Sequence, residues 1–119
     1  MMNKRRGHVV LLDYPFADSS GTKVRPALIV QEDRRNSLLT HTIVAVISKN
    51  ITRLASDQTQ LLIDISTPDG KASGLRINSA VTCGNLYAVH EKHLIKTIGR
   101  LSSALMRQTD DCLRRALDI

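Results

Sequence analysis

The chain has 119 residues, 42% of them hydrophobic, which suits one domain around one core and excludes wholesale disorder. Aromatic residues make up 3%, so the core must be aliphatic and a stacking platform for bases is hard to build. The net charge of +6 favours an anionic partner: nucleic acid, an acidic protein or a membrane surface.

The opening MMNKRRGHVVLLDYPF is basic but its apolar run, VVLL, is too short for a secretory core or a membrane span. The expectation is a soluble, cytoplasmic protein with no membrane partner. Residues 7–14 read as a first strand rich in Val and Leu, and residues 15–23 as a loop of turn formers. Residues 25–31 read as a second strand, with Pro26 at its start or on an edge because proline has no N–H to donate. Residues 32–37 are polar and read as a connection, residues 40–48 as a third strand, and residues 49–57 as irregular. Residues 60–65 read as a fourth strand, closed by the turn signal Thr67-Pro68-Asp69-Gly70.

A fifth strand is expected over residues 74–83, where Leu75, Ile77, Ser79, Val81 and Cys83 alternate, with residues 85–89 as its continuation. A helical turn at residues 91–94 and a brief strand at 95–98 follow. Ser102 is the expected N-cap of a last helix ending near Asp118, with Leu105, Met106, Cys112, Leu113, Ala116 and Leu117 on its apolar face. No helix-length segment separates the early strands, so parallel βαβ units are excluded. The fold class is therefore mostly β with a C-terminal helix: one domain over residues 1–119, an antiparallel sheet or small barrel.

No GxxxxGK(S/T), GxGxxG or GxSxG string is present, so no nucleotide cofactor and no nucleophile elbow is indicated. His8, His41, His90 and His93 lack a metal spacing and read as surface histidines. Cys83 and Cys112 form no CxxC pair; they read as two buried thiols, with one disulfide left open. The expectation is no cofactor and no metal.

The segments GHVVLL and KVRPALIV, followed by VAVIS, GLR, SAV and IGRLS in that order, resemble the MazF/PemK (Kid) toxin family over nearly the whole chain. The resemblance implies an SH3-like small β-barrel of the MazF/CcdB/Kid type, acting as a homodimer. It implies a metal-independent endoribonuclease that cuts single-stranded mRNA, blocked by a cognate antitoxin with an acidic segment. Metal-free RNA cleavage uses the 2′-OH as nucleophile, leaving 2′,3′-cyclic phosphate and 5′-OH ends. It needs charge stabilisation at the phosphorane and proton transfers at both oxygens.

On this resemblance Arg25 is the catalytic arginine; its guanidinium fork matches phosphate oxygens and stays charged. Ser48 stands at the family's Thr/Ser position and is the second catalytic candidate. The RNA-contacting set expected beside them is Ser19, Ser20, Thr22, Lys23, Lys49, Arg53 and Asn85. The chain departs from the family at Gly84, where many members carry an acid, at Asn85, where they carry Gln, and at Tyr87, where they carry a basic residue. The general base is then open between Asp13, His8 and no side chain at all. Two alternatives stand beside the nuclease: a CcdB-like gyrase-directed toxin, against which the lack of Trp counts, and a catalytically weak nucleic-acid or antitoxin-binding relative.

Overall fold

The computed structural model describes residues 3–14 and 23–119. Six strands run β1 (His8–Tyr14), β2 (Lys23–Ile29), β3 (His41–Ser48), β4 (Gln60–Ile63), β5 (Ser79–His90) and β6 (Leu94–Arg100). Three helices intervene or follow: α1 (Asp33–Leu38), α2 (Pro68–Ala72) and α3 (Ser103–Leu117), with a 3-10 turn at Glu91–His93. The strands make one sheet in the order β4-β5-β3-β2-β1-β6, antiparallel at every pairing.

Strand alternation sorts the apolar side chains into two cores. Val9, Leu28, Ala45, Ile47, Val81 and Cys83 belong to the core that includes Cys112 of α3, with Leu105, Met106, Leu113 and Ala116 packed against it. Val10, Leu12, Ala27, Ile29, Val44 and Val89 form the other core with Leu94. Both are aliphatic, as the composition requires. Ser102 caps α3 by accepting the Leu105 N–H at 3.2 Å, and Asp118 ends it in the left-handed conformation. Leu117, expected on the apolar face, is 52% exposed.

Several elements differ from expectation. The expected barrel is an open sheet: β4 is four residues long and pairs with β5, and β6 pairs with β1. The chain leaves β4 for α2 and meets β6 as the non-strand pair Ser73–Gly74, so no β4–β6 ladder closes the sheet. At that meeting a Cβ on Gly99 would fall 2.4 Å from the Ser73 carbonyl carbon, so the contact requires glycine.

The Thr67–Gly70 turn is instead the start of α2. Thr67 accepts the Gly70 N–H at 3.0 Å, and Pro68 occupies the first turn where its missing N–H costs nothing. The fifth strand begins at Ser79 rather than residue 74, and residues 74–78 are a turn and bends that start against β6 at Gly74; the continuation through residues 85–89 is present. The polar connection at residues 32–37 contains α1, held by tertiary contacts. The buried Asn36 donates to the Gln31 carbonyl and accepts from Thr42 Oγ1 at 2.6 Å and Gln31 Nε2 at 2.9 Å. Lys4, itself buried, donates to the Asn36 carbonyl at 2.6 Å and pairs with Glu91 at 2.7 Å.

Pro26 stands opposite Leu11 of β1, one step beyond Ala27, where the β2–β3 ladder begins, so its missing donor leaves no gap in that ladder. No described helix is long and apolar enough to cross a membrane.

Candidate nucleic-acid interface

A cleft of about 670 Å³ opens where β2, β3 and β6 meet the segment between α2 and β5. Its floor is aliphatic, with Leu11, Pro26, Ile47, Leu75 and Ile98 among its walls. Four cations line it: Arg25 from the start of β2, Lys49 just past β3, Arg76 from the crossing segment and Lys96 from β6. All four are exposed, and among the described residues none forms an ion pair. No described Asp, Glu or His lines the cleft. Four like charges around one low-dielectric concavity focus a positive potential that attracts polyanions.

The strand register explains why Arg25 and Ser48 come to the same end of the sheet. Ala27 pairs with Val46, and Arg25 and Ser48 each lie two residues further along neighbouring strands. Ser48 itself does not line the cleft; its neighbours Ile47 and Lys49 do. Its Oγ accepts the Asn50 N–H at 3.0 Å, a turn contact that leaves the hydroxyl proton to donate elsewhere.

The remaining expected RNA contacts are dispersed. Lys23 opens β2 opposite Tyr14, and Arg53 sits in the turns after β3, its carbonyl accepting the Ser56 and Asp57 N–H groups. Both are exposed and neither lines the cleft. Ser19, Ser20 and Thr22 lie outside the described residues.

Asn85 occupies a separate feature. In the β3–β5 ladder Ala45 faces Leu86 and Val46 faces Thr82, so Cys83, Gly84 and Asn85 form a three-residue bulge. Gly84 and Asn85 are exposed there. The Cys83 N–H donates to the Thr59 carbonyl at 3.0 Å, and Thr59 is itself held by Asp57, whose Oδ1 accepts the Thr59 hydroxyl at 2.6 Å. These Thr59 hydrogen bonds hold the Asp57 carboxyl below its usual range. A Cβ on Gly84 would meet Thr59 Oγ1 at 3.4 Å and nothing closer, so the bulge has room for a side chain that this sequence does not supply.

Of the two side chains considered as bases, neither Asp13 nor His8 lines the cleft; Asp13 Oδ1 and His8 Nδ1 are buried without a partner among the described residues. His90 Nδ1 accepts the Lys92 N–H at 3.0 Å and its ring meets His41 edge-on at 5.0 Å. Among the described residues no group of three or more His, Cys, Asp and Glu side chains could hold a metal ion. Arg76 and Lys96 were not singled out by sequence reasoning. Arg76 sits in a stretch whose alternation resembles a strand, and Lys96 in a strand end with no motif, so only the crossing of the two segments brings them together.

The sequence matches the family described as PemK-like, MazF-like toxins of type II toxin–antitoxin systems over residues 5–117. Endoribonuclease MazF9 of Mycobacterium tuberculosis is 30% identical over 97% of both chains. Endoribonuclease MazF6 of the same organism is 27% identical over 88% of each. Among solved structures, a mycobacterial endoribonuclease in complex with its cognate antitoxin superposes with a TM-score of 0.77 at 19% identity, covering 98% of this chain and 96% of that one. MazF from Deinococcus radiodurans superposes at 0.74 with 12% identity over the full length of both.

Proposed function

Because the chain belongs to the PemK-like, MazF-like toxins, we propose that it is a cytoplasmic endoribonuclease that cuts single-stranded mRNA without a metal and so arrests translation and growth. The observation that supports this most is the cleft with four unpaired cations and no acidic lining among the described residues. It suits a polyanion whose phosphates must be held while one of them gains charge.

In the reaction the 2′-oxygen attacks phosphorus and the bond from phosphorus to the 5′-oxygen breaks. The 2′-OH proton is lost, the 5′-oxygen gains one, and the products are a 2′,3′-cyclic phosphate and a 5′-OH end. Arg25 places two N–H donors on the phosphorane oxygens, where charge develops. Lys49 adds a point charge beside it. Ser48, with its oxygen engaged by the Asn50 N–H, hydrogen-bonds the scissile phosphate or the 2′-OH. No described carboxylate or imidazole lines the cleft, so the described residues act there by charge stabilisation and alignment.

The active form is a homodimer, and the partner is an antitoxin whose acidic segment competes with RNA for the same cations. That competition weakens as salt screens both.

The test is incubation of the purified protein with a long RNA in excess EDTA, with the new ends characterised. Cyclic phosphate and 5′-OH ends, and resistance of RNA that is 2′-deoxy at the cut, are expected. Intact RNA would favour the non-cleaving relative, and cleavage that needs an added divalent ion would overturn the mechanism.

A further inference from the structure

We infer that Arg76 and Lys96 form a second phosphate site, separate from Arg25, that holds the RNA backbone one or more nucleotides away from the cut. This rests on the nuclease reading above and adds the residues that bind substrate without touching the reacting phosphate. The two side chains come from segments brought together by the glycine contacts of Ser73–Gly74 with Ile98–Gly99. Arg76 lies two residues beyond Gly74, and Lys96 two residues before Ile98, so both leave the crossing toward the same cleft.

The distance to Arg25 follows from register. Lys96 faces Leu11, and Leu11 faces Pro26, the residue next to Arg25. Lys96 and Arg25 therefore stand on strands separated by β1, about 10 Å apart at the backbone for two strand spacings. Cations at the two ends of such a span, with Arg76 on the segment that lines the same cleft, suit successive phosphates of one strand better than a single group. The exposed aliphatic side chains of Val24 and Ile77, at 56% and 52%, lie in the same cleft and offer an apolar surface to an unstacked base. Neither Arg76 nor Lys96 has an acidic partner among the described residues that would account for its charge.

A site of this kind binds ground state and transition state alike, so its loss raises KM and leaves kcat near the parent value. The experiment uses the full chain, with Arg76→Gln and Lys96→Gln combined and, separately, the charge-keeping pair Arg76→Lys and Lys96→Arg. Two readouts are taken: steady-state cleavage of a long RNA, and the salt dependence of binding to a short 2′-O-methyl RNA that cannot be cut.

The Gln pair should raise KM roughly tenfold and lower the slope of log K against log salt by about 0.7, the value for one phosphate contact on a single strand. The charge-keeping pair should restore the slope. An unchanged slope, or a fall in kcat with KM unmoved, would overturn the inference. A parent that cuts no RNA, together with a slope that still drops in the Gln pair, would refute the nuclease reading and leave the phosphate site standing.

Discussion

Gly74 lies so close to Ile98 that a β-carbon on it would fall 2.1 Å from the Ile98 carbonyl oxygen, and its φ of +78° is one that side chains other than hydrogen rarely adopt. Two constraints thus meet at one residue, and the atom in the way is backbone, which cannot rotate aside. Gly74→Ala should destabilise the protein by about 2–3 kcal/mol, lowering the melting temperature by roughly 10 °C for a chain of this size. It should also weaken RNA binding, because the crossing carries Arg76. A melting temperature within a degree or two of the parent would show that the segment does not approach β6 this closely.

Arg25 and Ser48 should separate by magnitude. Arg25→Ala should slow single-turnover cleavage by about a hundred- to a thousandfold while RNA binding falls far less. Arg25→Lys should rescue poorly, since an ammonium does not reproduce the two-pronged contact. Ser48→Ala should cost about fivefold, and Ser48→Thr should be near neutral. All four should melt like the parent, because Arg25 is exposed and Ser48 sits at a strand end. An Arg25→Ala protein that melts normally and cuts at the parent rate would remove Arg25 from the site.

The nearly buried pair of Lys4 and Glu91 ties the N-terminal segment to the turn before β6. The hydrogen bond from Lys4 holds the Glu91 carboxyl below its ordinary range. A depressed carboxylate adds stability that is present above its unfolded pKa and is lost as pH falls through the folded value. Lys4→Met should lower the melting temperature by roughly 5–10 °C at neutral pH, and the difference from the parent should shrink under acid. Melting curves of both proteins from neutral pH downward provide the check; a gap that stays constant to the lowest pH would exclude Glu91 as the partner that matters.

Alkaline pH should act through Cys83. Burial pushes its thiol up to about 12, with Cys112 nearby adding to the shift, and burial raises Cys112 as well. A thiol that ionises at about 8.5 when unfolded but stays neutral when folded gives stability that is complete below that pH. This stability falls as pH rises toward the folded value. The slope should approach about 1.4 kcal/mol per pH unit for Cys83. Cys83→Ala should be less stable at pH 7 from the cavity it leaves, yet decline less steeply above pH 9. Parallel slopes for parent and variant in urea unfolding would count against this. Thiol reagents should react slowly with the native protein at neutral pH and with both cysteines once it is unfolded.

The sequence by itself determined the succession of the strands and the last helix, and it supplied Arg25 and Ser48 as site candidates. The Val- and Leu-rich run in HVVLLDY, the continuous apolar middle of THTIVAVIS, and the cap Ser102 before α3 are local signals, because strand propensity and helix end-groups depend on near neighbours. The resemblance carried by RPALIV pointed to Arg25 for the same reason: a motif is a short string. Thr67-Pro68-Asp69-Gly70 was equally local but ambiguous, since an N-cap followed by proline and a turn with proline share one spelling.

Tertiary structure alone decided the rest. Residues 74–78 alternate like a strand, yet they cross β6 through glycine contacts with Ile98–Gly99, and no local pattern records a partner more than twenty positions away. The helix at Asp33–Leu38 is held by Asn36 finding Gln31, Thr42 and Lys4 around it, not by any helix preference of its five polar residues. The assembly of Arg25, Lys49, Arg76 and Lys96 around one cleft, and the removal of Asn85 to a bulge of its own, depend on strand order and register. Those are set by long-range pairing of the backbone, a property of the whole sheet rather than of any stretch of sequence within it.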